Sequence, residues 1–148
     1  MPVRATLDSN ILVYAELEAK QPKGIAAQRV IELAAPNGVI VNQALLEFVA
    51  VVCRRLPTSL PSAIVKVEAW SQVFETAPTT SAILSEALRI VTSHQLQVWD
   101  AVIWAAARSA GATVFFSENL QDGLKLDSMR VVNPFRRTDA ELAALLNP

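Results

Sequence analysis

The chain has 148 residues, 52% hydrophobic and 18% charged, which suits one domain over residues 1–148 with a sizeable core. Thirteen basic against fourteen acidic residues leave a net charge of −1, so no overall basic field gathers nucleic acid. A single cysteine, Cys53, excludes a disulfide framework and all-cysteine zinc sites, and no apolar run reaches the roughly 18 residues that span a bilayer. The first residues show neither the basic start nor the apolar stretch of a signal peptide, so a cytoplasmic protein that meets no membrane is expected.

Val3, Ala5 and Leu7 alternate with Arg4 and Thr6, predicting a strand that ends at Asp8-Ser9-Asn10. Residues 11–15 continue as a short helix, with Ser9 or Asn10 as the expected cap. Open α/β sheets take ligands at the carboxyl ends of their strands, so this polar cluster is a first candidate site. Gln21 to Gly24 reads as a loop, residues 25–35 as an amphipathic helix, and Pro36-Asn37-Gly38 as a turn. Val39-Ile40-Val41 is a short apolar strand, after which Asn42 is set to cap a helix over 43–55. That helix surrounds one acid, Glu47, with Ala44, Leu45, Leu46, Phe48 and further aliphatic residues. Burying an isolated carboxylate costs several kcal/mol unless it is paired or bound to metal. The ordinary alternatives are a surface edge or a partner in Arg54, two turns further on.

Residues 56–61 form a breaker-rich connector, followed by a helix to about Gln72 and a short strand within 73–78. A helix from Thr80 or Ser81 ends near His94, the only histidine, which has no partner motif and reads as an ordinary helix-end residue. From Asp100 to Gly111 the pattern predicts a helix that is apolar almost all round and therefore packed on all sides. Gly111 is its left-handed stop, and Asp100 reads first of all as its N-cap. Residues 112–116 form a buried strand that ends in a second polar cluster, Ser117 to Asp122. A last short strand over 130–135, put at a sheet edge by Pro134, precedes a helix over 139–146. Strands alternating with helices predict an α/β fold, a three-layer sandwich around a mostly parallel central sheet.

A parallel sheet brings the carboxyl ends of its strands to one edge, so Asp8, Glu47, Asp100 and Asp122 are candidates for a shared site. Carboxylates crowded together repel and protonate unless a cation neutralises them. With oxygen ligands alone the expected ion is Mg²⁺ or Mn²⁺, which stabilises charge on a phosphoryl oxygen and lowers the pKa of bound water. No serine–histidine pair, phosphate-cradling Gly-rich loop or dinucleotide turn competes with this chemistry.

From end to end the chain resembles the PIN domain family, and within it the VapC-type toxins of toxin–antitoxin modules. Leu7-Asp8-Ser9-Asn10-Ile11-Leu12 is similar to the family's opening D-[ST]-N motif. Glu47 stands where its second acid falls, and Asp100, ahead of an alanine-rich helix, resembles its third. Ser117-Glu118-Asn119-Leu120-Gln121-Asp122 is similar to the last motif, with one departure: Asn119 stands where many members have aspartate, and Asp122 offers an acid three positions on. The resemblance implies a ribonuclease dependent on Mg²⁺ or Mn²⁺ held by Asp8, Glu47 and Asp100, with Asp122 as a further catalytic acid. It also implies an RNA substrate, a homodimer and a cognate antitoxin protein. Ser9, Asn10, Ser117 and Asn119 then stand behind the acids, orienting Asp8 or water. The competing expectation is a PIN-fold binding module in which Asn119 marks lost chemistry. A phosphatase working through an aspartyl phosphate fits less well, because it needs a second Asp where Asn10 stands. Scattered candidates for phosphate contact are Arg54, Arg55, Lys66, Arg136 and Arg137.

Overall fold

A computed structural model describes residues 2–148. Strand β1 (Ala5–Leu7) leads into α1 (Ser9–Leu17) and α2 (Pro22–Ala34), and β2 (Val39–Val41) leads into α3 (Asn42–Arg55). After a 3₁₀ turn at Pro57–Ser59 come α4 (Leu60–Val73), β3 (Glu75–Ala77), α5 (Ser81–His94) and α6 (Val98–Ser109). The chain closes with β4 (Val114–Phe116), β5 (Lys125–Leu126), β6 (Met129–Val132) and, after a second 3₁₀ turn, α7 (Asp139–Leu146). The strands run β1-β4-β6-β5, with β5 alone antiparallel, while β2 and β3 pair in parallel beside β1. The expected α/β architecture with a mostly parallel sheet between helical layers is present.

Alternation along the strands builds the two halves of the core. Leu7, Ile40, Phe116 and Val132 face one side with Ile11, Leu12 and Phe48. Val39, Val41, Phe115 and Val131 face the other with Ile90, Ile103 and Trp104. Trp104 is fully buried and stacks on Phe115 with ring centroids 5.3 Å apart. Every residue of α6 from Ala101 to Ala107 is buried, as its all-round apolar sequence demands. Because α6 ends just before β4 begins, its first turn lies at the carboxyl edge of the sheet, beside the ends of β1 and β2. Gly111 closes it at φ +90°, a conformation favoured by glycine.

Several local expectations give way. Helix α6 starts two residues before Asp100, so Asp100 lies in the first turn and Gln97 is the N-cap. Asn42 is likewise the first residue of α3, not its cap. Gly24 belongs to α2, not to a loop, because Pro22 opens that helix at its first position. Strand β6 is interior, lying between β4 and β5; Pro134 falls beyond the strand's end and starts a 3₁₀ turn. Helix α3 exposes Leu46 at 65% of its surface, so that helix is less enclosed than its composition implies.

Candidate metal centre

Asp8 ends β1 and caps α1, where its Oδ1 accepts from the Ser9 backbone N–H at 2.8 Å. Its Oδ2 accepts from the Ser117 hydroxyl at 2.7 Å, and Ser117 follows β4, the strand paired with β1. Ser117 is fully buried, and its oxygen also accepts from the backbone N–H groups of Asn119 (3.2 Å) and Leu120 (3.4 Å). One hydroxyl therefore joins the ends of two strands and fixes the carboxylate between them. Asn10 closes the same corner, its Oδ1 accepting from the Glu118 N–H at 3.4 Å and its Nδ2 reaching Ser117 Oγ at 3.5 Å. Burial pushes the Asp8 carboxyl above its usual value, against the pull of the Ser117, Ser9 and Asn10 donors.

Glu47 rises from the second turn of α3, which the chain enters at the carboxyl end of β2. Burial and the negative charges of Asp8 and Asp100 push its carboxyl up to about 7, while the Ser9 and Gln43 side chains pull weakly the other way. It forms no pair with Arg54; the groups acting on it are the two acids. Asp100, in the first turn of α6, is pushed up to about 6 by burial and by Asp8. So Asp8, Glu47 and Asp100 come together at the carboxyl edge from β1, α3 and α6. No lysine or arginine acts on any of them.

Asp122 stands apart from this group. Its Oδ1 accepts from the Asn133 N–H at 2.9 Å, and the Arg137 guanidinium lies 3.3 Å from each of its oxygens. Burial raises its pKa, but the Asn133 and Arg137 bonds outweigh that and hold the carboxyl below its usual range. Arg137 is accordingly spoken for. Lys66 lines a separate hollow with Gln28 and Trp70, and Arg136 borders another with Asp122. Asn119 is exposed and lines a hollow with Ser9, Asn10, Arg54 and Arg55.

Three residues escaped the sequence reading. The Tyr14 hydroxyl donates to Glu118 Oε1 at 2.6 Å, and Lys23 pairs with the same carboxylate. Lys23 also sits 4.5 Å above the Tyr14 ring, whose edge-on neighbour is Phe135. This knot holds the segment just after Ser117, and through it the Asp8 contact. The signal was available: Tyr14 lies four residues after Asn10 on one helix face, and Glu118 follows Ser117 directly.

The donor set fits a hard divalent cation. It offers oxygen alone, and burial plus mutual repulsion leave it short of positive charge. Among the described residues no three His, Cys, Asp or Glu side chains already stand in an ion-holding arrangement. Asp8 is fixed by its two bonds, whereas Glu47 and Asp100 are half-buried.

A parallel α/β sheet with acids collected at its carboxyl edge, beside the ends of β1 and β4, defines the class. Within that class the chain belongs to the PIN domain family, whose model matches residues 5–121. Solved structures share the fold. VapC20 of Mycobacterium tuberculosis, a toxin that cleaves the sarcin–ricin loop, aligns at TM-score 0.65 and 18% identity over 78% of this chain and 89% of its own. A toxin–antitoxin complex from Klebsiella pneumoniae aligns at 0.66 and 20% identity, over 88% and 97%. VapBC2 of Rickettsia felis, bound to a promoter DNA fragment, aligns at 0.65 and 16% identity, over 87% and 97%. Among curated proteins no sequence match reaches significance.

Proposed function

We propose that the chain is a divalent-metal-dependent endoribonuclease of the toxin type, with Asp8, Glu47 and Asp100 holding Mg²⁺ or Mn²⁺. The observation that carries this reading is the convergence of three carboxylates with raised pKa values and no basic partner. A binding module has no use for such repulsion, and a site that takes a cation relieves it. When bound, the ion supplies charge stabilisation at a phosphoryl oxygen and acidifies water for in-line attack. The chain's own part is to orient. Ser117 and the Ser9 N–H fix both oxygens of Asp8, so the other two acids have a rigid partner to close upon. Asn10 and the Tyr14–Glu118–Lys23 knot keep Ser117 in place.

The structural neighbours that are toxin–antitoxin complexes support a cognate antitoxin as partner. Exposed apolar side chains offer the surface for it and for a homodimer: Leu46, Leu60 and Ile64 on α3 and α4, Leu84 and Leu88 on α5, and Trp99 on α6. Light scattering over a concentration series reads that self-association. Among the described residues no helix is long and apolar enough to cross a membrane, and the reading places the protein with its RNA substrate in the cytoplasm.

The test is cleavage of RNA by the purified chain. Cleavage should require Mg²⁺ or Mn²⁺ and stop in EDTA. Asp100→Asn should lower the rate by about 10³ or more, since it removes a charge the ion needs at nearly constant shape. A variant that cuts as fast as the parent overturns the reading.

A further inference from the structure

Beside the acid group lies a second feature, a hollow of about 230 Å³ between α1 and the end of α3. Its wall begins at Ser9 and Asn10, the residues directly after Asp8, and passes Tyr14 and Asn119. It ends at Arg54 and Arg55. No carboxylate lines it, although Asp8 directly precedes Ser9 and the Ser9 side chain reaches Glu47. Arg4, Lys23, Arg29, Arg89, Arg108 and Arg137 are all taken up in ion pairs. Arg54 and Arg55 are exposed and in no ion pair among the described residues, as are Lys20, Lys66, Lys125, Arg130 and Arg136, but of these seven only Arg54 and Arg55 line this hollow. Position at the last turn of α3 suits any cation, because the helix dipole is negative there. The dipole does not account for a hollow whose wall, besides Val13 and Val51, carries the hydroxyls and amides of Ser9, Asn10, Tyr14 and Asn119.

We infer that this hollow is the substrate track: it seats an extended single strand of RNA whose reacting phosphate lies at the acids. The inference rests on the ribonuclease reading and adds where the strand runs and what grips it. Arg54 lies seven residues, and so about 10 Å along the helix, beyond Glu47. A strand leaving the acids therefore meets Arg54 and Arg55 about one or two nucleotides further on. An anionic chain brought to an acidic site needs cations close by but not among the acids, and these two arginines are so placed. Asn119 has its side-chain amide free at the rim, with a donor and an acceptor for a base edge or a 2′-hydroxyl. A hollow of about 230 Å³ is far smaller than a turn of double helix, which selects single strands and loops.

Binding is measured by fluorescence anisotropy with a short, end-labelled, mixed-sequence single-stranded RNA, in EDTA so that nothing is cut. The full chain is compared with Arg54→Gln/Arg55→Gln, with Arg54→Lys/Arg55→Lys, and with Lys20→Gln/Lys125→Gln as a control of equal charge change. The first variant should bind about 10–100-fold more weakly, and its dependence of log Kd on log salt should flatten by about 1.4, two contacts' worth on a single strand. The lysine variant should keep most of the affinity, and the control should match the parent. Equal loss in the control, or parental Kd and salt slope in the glutamine variant, overturns the track while metal-dependent cleavage by the parent still stands. Duplex RNA bound as tightly as the single strand overturns it too. A parent that neither binds nor cuts RNA removes the ribonuclease reading, and the track falls with it.

Discussion

Which acids belong to the ion is decided by what each carboxylate already touches. Asp8, Glu47 and Asp100 have only neutral donors and one another, and all three are raised. Asp122 has a guanidinium and a backbone N–H, and is lowered. Sequence spacing shows an acid near the end of a strand but not its neighbour: Arg137 lies fifteen residues away and meets Asp122 only after β6 and the following 3₁₀ turn form. Asp122→Ala should therefore leave the affinity for Mn²⁺ within about twofold of the parent. It should cost about 1–2 kcal/mol of stability, because the Asn133 N–H loses a charged acceptor in a partly buried place. Calorimetric titration with Mn²⁺ and urea unfolding check the two halves. Loss of metal binding would return Asp122 to the ion's ligands.

At the scale of elements, periodicity made most of the fold legible. The long helices, the apolar strands β2 and β4 and the all-buried α6 follow from it directly. What stayed hidden was short or depended on distant contacts. Strand β5 has two residues, too few for any period, and it pairs with β6 across a turn in which Asp127 takes φ 54°. The start of α6 is hard to place from sequence because Asp is a good cap, and a cap and a first-turn acid look alike there. Gly24 resembles a loop residue in sequence because Pro and Gly within one short polar run commonly mark a turn. In the structure it lets α2 press against the end of α1: a Cβ there would collide with the Glu18 carbonyl and lie 2.8 Å from that of Tyr14. Two effects oppose each other at this site. Gly→Ala in a helix gains up to about 1 kcal/mol of propensity, whereas overpacking against rigid backbone costs about 1–3 kcal/mol. The second should win, so Gly24→Ala lowers the urea midpoint at unchanged m value. A higher midpoint would mean that the two helices do not meet as closely as described.

For the whole molecule, the acid group sets how stability answers to pH and to metal. Glu47 titrates at about 7 in the folded chain against an ordinary 4.5, and Asp100 at about 6 against 3.8. Between those limits the folded state holds more protons than the unfolded one, so metal-free stability falls as pH rises from about 4 to about 7. Below that window both states are protonated and the penalty is absent; above it the penalty is complete. Glu86, Glu118 and Asp122 are shifted the other way, and their stabilisation is lost only as pH falls below their ordinary values of 4.5 and 3.8. They do not disturb a comparison made between about pH 5.5 and about pH 8. In EDTA the protein should melt higher at the lower of these pH values. Asp100→Asn should flatten the difference and raise the Tm at the higher one, since it deletes a charge that its surroundings disfavour. Mn²⁺ should close most of that gap. The ion binds the ionised carboxylates, and at about 100-fold over its Kd it adds about 2.7 kcal/mol; at the lower pH it must first displace protons and adds less. Thermal melts with Mn²⁺ and with EDTA at both pH values measure all of this. An Mn²⁺ shift of equal size at the two would mean that the ion binds away from Asp8, Glu47 and Asp100.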